Sequence, residues 1–205
     1  MRQLIVSEFV TLDGVMEAPG GEPGHPHSGW VFEYQGPEQI AYKHAEVLAA
    51  GVLLIGRVTY ESFAEAWPTR TGEFADMMNA MPKAVVSSTL TDPTWNNTTV
   101  LRGDVVEAVT RLKNQPAADD GGGNGGDTGD GGPILVAGSA KLVHTLLDNG
   151  LVDELRLMVF PVTIGAGLRV FPETTDKTWW KMSDTQTFPS LVRVDTYRPT
   201  TAGVA

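Results

Sequence analysis

The stretch Val52-Leu53-Leu54-Ile55-Gly56-Arg57-Val58-Thr59-Tyr60-Glu61 constrains this chain more than any other. Its apolar start has the signature of a buried strand. The run stops at Gly56, and Tyr60, Phe63 and Ala64 then fall on one face of a helix. A strand that passes through glycine directly into a helix leaves backbone N–H groups without intrahelical partners. Those groups and the positive end of the helix dipole suit an anion such as a phosphate. Arg57 adds a planar cationic fork at the same turn, and Thr59 adds a hydroxyl. The expectation is one half of a dinucleotide site.

The same pattern recurs downstream. Ile134-Leu135-Val136-Ala137 is a second apolar strand, and Gly138-Ser139-Ala140 is a turn of small residues that lets a ligand approach the backbone. Leu142, Val143, Leu146 and Leu147 then line one face of a helix that ends at Asn149-Gly150. Neither unit carries the Gly-x-Gly-x-x-Gly fingerprint or the Walker pattern, which disfavours an ordinary Rossmann domain or a P-loop enzyme.

The rest of the chain supplies elements for an α/β sheet. Residues 3–10 read as a first strand, and Thr11-Leu12-Asp13-Gly14 as a turn. A Gly/Pro-rich loop runs to Pro37, long enough for a lid or a binding loop. It holds His25, His27 and Trp30; without carboxylate partners the two histidines read as solvated loop residues rather than metal ligands. Pro37 and Glu38 suit the first turn of a helix with Ile40, His44, Val47 and Leu48 on one face, capped at Gly51. His44 is then either a core histidine or one that looks into a substrate pocket.

A short helix is expected over residues 71–81, where Met77, Met78 and Met81 fill core gaps. Residues 83–88 form a strand ending in Ser87 and Ser88, which are either phosphate partners or a simple turn. Residues 98–101 read as a strand and 104–112 as a helix. Residues 114–133 are a Gly/Asp-rich low-complexity insertion with too little apolar surface to offset ordering, expected to be flexible and exposed. Residues 155–162 form a strand, Gly165-Ala166-Gly167 a tight turn, and residues 179–188 and 191–198 an antiparallel hairpin. Strands alternating with helices and closing in a hairpin describe a mixed, mostly parallel sheet with helices on both faces, in one domain over residues 1–205.

Composition narrows the partners. A net charge of −10 argues against a nucleic-acid or membrane-surface binder. The absence of cysteine removes disulfides, thiolate catalysis and cysteine-held metals. The first residues turn polar too quickly for a signal peptide, and no apolar run approaches a membrane span, so a cytoplasmic protein is expected.

Taken in order, several segments resemble the dihydrofolate reductase superfamily, and most closely its riboflavin-biosynthesis reductase branch. They are Ser7 with Leu12-Asp13-Gly14-Val15, then Leu54 through Glu61, then Lys83 through Leu90. The series continues with Ile134 through Ala140, Leu151-Val152-Asp153-Glu154-Leu155, and Pro161 through Gly167. The resemblance implies a three-layer sandwich of the dihydrofolate reductase type, NADPH as hydride donor, a small-molecule substrate and a homodimer. Gly56, Arg57 and Thr59 would hold cofactor phosphates. Ser87 and Ser88 would meet the adenosine 2′-phosphate, and Gly138, Ser139 and Ala140 the pyrophosphate and nicotinamide side. The loop at Asp13 and Gly14 would close over the nicotinamide. Asp13 and His44 are the candidate catalytic residues, and Arg169 a candidate substrate clamp.

One departure separates the chain from folate reduction. Folate enzymes place a carboxylate on the helix before the glycine-arginine turn; counting back from Gly56 reaches Ile40, and Glu38 lies on another side of the helix. The riboflavin-type reaction, reduction of a ribosylamine in its imine form, is therefore the leading expectation. Dihydrofolate reduction and a non-catalytic nucleotide-binding protein are the alternatives.

Overall fold

Alternation of side chains across a central strand builds the two halves of the core. In this computed structural model, which describes residues 1–34, 36–115, 131–174 and 176–201, the strand Leu4–Thr11 (β1) is buried at all but one position. Leu4, Val6 and Val10 face one side of the sheet, while Ile5 packs on the other. The further strands are Val52–Gly56 (β2), Lys83–Val86 (β3), Thr98–Leu101 (β4), Ile134–Val136 (β5), Glu154–Phe160 (β6), Trp179–Thr187 (β7) and Arg193–Thr200 (β8). They form one sheet in the order β4-β3-β2-β5-β1-β6-β8-β7. Pairings from β4 through β6 are parallel, and β8 runs antiparallel to both β6 and β7.

Helices cover both faces. Pro37–Ala49 (α1), Arg57–Ala66 (α2) and Glu73–Ala80 (α3) lie with Ile5, Leu53, Ile55 and Val85; Val105–Asn114 (α4) and Ala140–Asp148 (α5) lie with Leu4, Val6, Leu54 and Val136. The expected mostly parallel α/β sandwich with a C-terminal antiparallel hairpin is what forms. Asp104 caps α4 by accepting the Glu107 N–H at 2.8 Å, so the helix begins one residue later than its periodicity suggests.

Two features were not legible. The loop before α1 contains a 3-10 helix over Trp30–Tyr34, too short to show a period. Trp30 and Val31 bury themselves there against Phe160, Phe188 and Val194. The hairpin also carries a bulge between Met182 and Asp184. Of the Gly/Asp-rich stretch expected over 114–133, residues 116–130 lie outside the described residues.

The strand order fixes where a ligand fits. From β2 the chain leaves through α2 and α3 toward β3; from its neighbour β5 it leaves through α5 toward β6, on the opposite side. Adjacent parallel strands that send the chain in opposite directions open a crevice at their C-terminal ends.

Candidate active site

The glycine turns after β2 and β5 meet at that crevice. The Gly56 N–H donates to the Gly138 carbonyl at 3.1 Å. Ser139 heads α5 but does not cap its own helix; its Oγ accepts the Thr59 N–H at 3.1 Å and the Thr59 hydroxyl at 3.0 Å. One serine thus caps the neighbouring helix and binds the two helix N-termini together. The approach is close enough to require both glycines. A Cβ on Gly56 would stand 2.7 Å from Ser139 Oγ, and one on Gly138 (φ +80) would stand 2.6 Å from Thr59 Oγ1. Thr59 therefore serves the junction, and Arg57 and Val58 remain as the helix-heading N–H donors for an external acceptor. The Arg57 guanidinium is half-exposed and pairs with Glu61 at 2.7 Å. Ala140 is buried in the first turn of α5.

Of the two serines after β3, Ser87 is buried and makes the turn, its Oγ accepting the N–H groups of Thr89 and Leu90 at 3.2 and 2.9 Å. Ser88 and Leu90 offer their carbonyls to the guanidinium of Arg102, at 3.3 and 2.5 Å. Arg102 directly follows β4 and brings a cation to the expected 2′-phosphate end. Sequence reasoning passed over it, although a basic residue at the C-terminal end of a parallel strand was the available signal.

The structure places Asp13 and Arg169 in a clasp between loops. Asp13 accepts the Thr11 hydroxyl at 2.6 Å, the Gly165 N–H at 2.8 Å and the Ile164 N–H at 3.4 Å. The Thr11 hydroxyl leads these donors in holding the acid below the usual carboxylate range. Arg169 donates to the carbonyls of Asp13 and Gly165 at 3.0 and 3.4 Å, and Gly14 (φ +82) accepts the Val170 N–H at 3.0 Å. The loop after β1 is thereby tied to the turn at 164–170. His44 lies between α1 and α3, edge-on to Phe74 and with Nε2 3.8 Å from Glu73. His25 contacts the Ala166 carbonyl at 3.0 Å and accepts the His27 N–H at 3.1 Å. Among the described residues no three His, Asp or Glu side chains gather as a metal site.

A charged cluster beside the crevice escaped the sequence reading. Glu8 is buried in the middle of β1 and accepts the Gly138 N–H at 2.6 Å. Burial pushes its carboxyl up to about 8, against the opposing pull of the Gly138 N–H and Lys43. On the α1 side, Lys43 Nζ stands 2.6 Å from Glu46, 2.9 Å from Ser7 Oγ and 5.3 Å from the centre of the Phe9 ring. Glu46, 2% exposed at its side chain, also meets Arg156 at 3.0 Å. Burial opposes its charge, but Lys43 and Arg156 prevail and hold it below the usual range. Arg156 continues to Glu154 at 2.7 Å, and Glu154 to Arg198 at 3.0 Å. The signal was visible in part, since Glu8 is the one charged residue of the buried strand β1 and such an acid needs a built partner.

A dinucleotide suits these residues. Two helix N-termini and the backbone of two required glycines meet at the switch point, and cations stand at Arg57 and Arg102 along the same edge of the sheet. Comparison with known proteins gives the family and the fold. The family model described as the RibD C-terminal domain matches residues 2–118 and 127–193. The uncharacterized protein YyaP of Bacillus subtilis (strain 168) is 27% identical over 195 residues, covering 93% of this chain and 92% of its own. A structure provisionally assigned to riboflavin biosynthesis, from Shewanella sp. PV-4, matches at TM-score 0.70 with 18% identity, covering 98% of this chain and 99% of its own. Dihydrofolate reductase from Enterococcus faecalis, solved with NADP(H), matches at TM-score 0.59 with 16% identity and 96% of both chains. At these identities the two structures establish the fold. No helix among the described residues is long and apolar enough to cross a membrane.

Proposed function

The chain belongs to the RibD C-terminal domain family, and from that premise we propose that it is an NADPH-dependent reductase of the riboflavin-pathway type, acting on an imine or heterocyclic small molecule. The observation that carries the proposal is the locked pair of helix N-termini at the β2/β5 crevice. Arg57 and the backbone of Arg57 and Val58 would hold phosphate, with Ser139 and Ala140 beside the pyrophosphate. The Ser87–Ser88 turn, backed by Arg102, would take the 2′-phosphate. Gly14 and its clasped loop would cover the nicotinamide and exclude water. When bound, NADPH supplies a hydride; the chain fixes its orientation against an electrophilic carbon.

Folate reduction is the less favoured reading. Ile40 is exposed on α1, and the carboxylate further along that helix, Glu46, is already committed to Lys43, Arg156 and Ser7. No carboxylic acid on this face of α1 is left to protonate a pterin.

Titration with NADPH, followed by nucleotide fluorescence, tests the proposal together with NADPH oxidation on a panel of ribosylamine-type imines. The wild type is expected to bind and turn over. Arg57→Ala should weaken NADPH by about 1.5–3 kcal/mol, the range of a charge-assisted hydrogen bond. Unchanged affinity would remove the α2 turn as the phosphate site, and no binding at high micromolar NADPH would sink the reading.

A further inference from the structure

Hydride transfer to a C=N bond requires a proton at nitrogen; of the two residues expected to provide one, Asp13 is committed to other contacts and His44 turns toward α3. A different group stands at the crevice. Val47 on α1 packs with Ile5, and Lys43 contacts Ser7 and Phe9, so α1 climbs toward the C-terminal edge of the sheet as its numbers fall. Ile40, one turn above Lys43, is exposed. Ser7 follows Val6, which pairs with Val136, and Glu8 holds the Gly138 N–H. Lys43 and Ser7 therefore border the turn that also fastens α2.

An ammonium group has three N–H donors. Those of Lys43 meet Glu46 and Ser7, and among the described residues no third oxygen partner appears. The side chain is 17% exposed. Resting on the reductase reading above, we propose that Lys43 is the proton donor of the reaction. The C=N carbon accepts hydride from NADPH, the π pair moves to nitrogen, and nitrogen takes a proton from Lys43 Nζ. The neutral amine of Lys43 then regains a proton from water. Glu46, anchored by Arg156, is a positioning residue that keeps Nζ aimed. The substrate class is accordingly a C=N compound whose nitrogen faces α1.

Lys43→Met and Lys43→Arg test this. Lys43→Met should slow hydride transfer in single-turnover NADPH absorbance by about 100-fold, the lower end of general-acid contributions, and leave NADPH affinity within about twofold. Lys43→Arg keeps the charge but does not release a proton at neutral pH, so it should not restore the rate. Restoration by arginine would replace proton donation with charge stabilisation and overturn the proposal. A turnover-independent readout is the lysine Cε NMR signal assigned by its loss in Lys43→Met, expected to shift when NADP⁺ is added. An unmoved signal would place Lys43 away from the nicotinamide and also overturn the proposal. If the wild type is active and Lys43→Met stays within about threefold of its rate, this inference alone fails. A wild type that neither binds nor oxidises NADPH overturns the reductase reading and this inference with it.

Discussion

Glu8 shows how one residue can contribute to the site and still escape a reading by pattern. A period-2 reading sees the strand and treats an acid within it as noise, because strand assignment rests on the apolar majority. What the acid does depends on Gly138, which is 130 residues away in sequence. The turn at Asp13 and Gly14 was legible because its chemistry is local. Glu8 has a consequence for stability. Its ordinary value is 4.5 and its value in the fold about 8, so between these the folded chain holds a proton that the unfolded chain has lost. Its contribution is therefore fully present below about pH 4.5 and is lost as pH rises toward 8, with a limiting slope of about 1.4 kcal/mol per pH unit. Glu8→Gln keeps an acceptor for the Gly138 N–H and removes the titration. Urea unfolding from pH 5 to 8 should show wild-type stability falling relative to the variant; parallel curves would mean that Glu8 is ionised throughout.

At the scale of elements, each strand-turn-helix unit was readable, because apolar runs, glycine turns and helical periods are all contiguous. Their adjacency was not. β5 follows β4 in sequence but inserts between β2 and β1, and only that insertion brings Ser139 to Thr59. The turn at Ser87 and Ser88 is likewise completed from a distance, by Arg102 arriving from β4 at the Ser88 carbonyl, while Ser87 accepts the Leu90 N–H. The junction can be measured. Ser139→Ala removes the acceptor that caps α2 and should cost about 1 kcal/mol, a typical N-cap loss. Thr59→Val removes the hydroxyl side of the same contact. Because both changes break one bond network, the double variant should cost less than the sum of the singles, by about 0.5 kcal/mol or more. Strict additivity in urea unfolding would show that the two helix ends are held by packing rather than by Ser139.

Across the whole molecule, the α/β class and the closing hairpin follow from patterns of apolar residues, but the ionic chain through Lys43, Glu46, Arg156, Glu154 and Arg198 does not. Its links run from α1 to β6 to β8, and the Arg156–Glu46 contact spans 110 positions. No local signal announces that an arginine on β6 will meet an acid from α1 as well as the one two residues back on its own strand. Arg156 is the middle link, so Arg156→Met leaves both Glu46 and Glu154, nearly inaccessible to water, short of a partner. Breaking a buried pair from one side costs about 3 kcal/mol, because the remaining charge is left uncompensated. That loss is expected near pH 7 in urea unfolding. The pH dependence identifies its cause. Burial works against Glu46, yet Lys43 and Arg156 hold its folded value below 4.5. Its contribution is therefore present above 4.5 and disappears as acid protonates the carboxylate in the fold. The gap between wild type and Arg156→Met should narrow as pH falls through that range. A gap that is the same at pH 7 and at pH 3 would show that the arginine stabilises through its aliphatic stem rather than its charge.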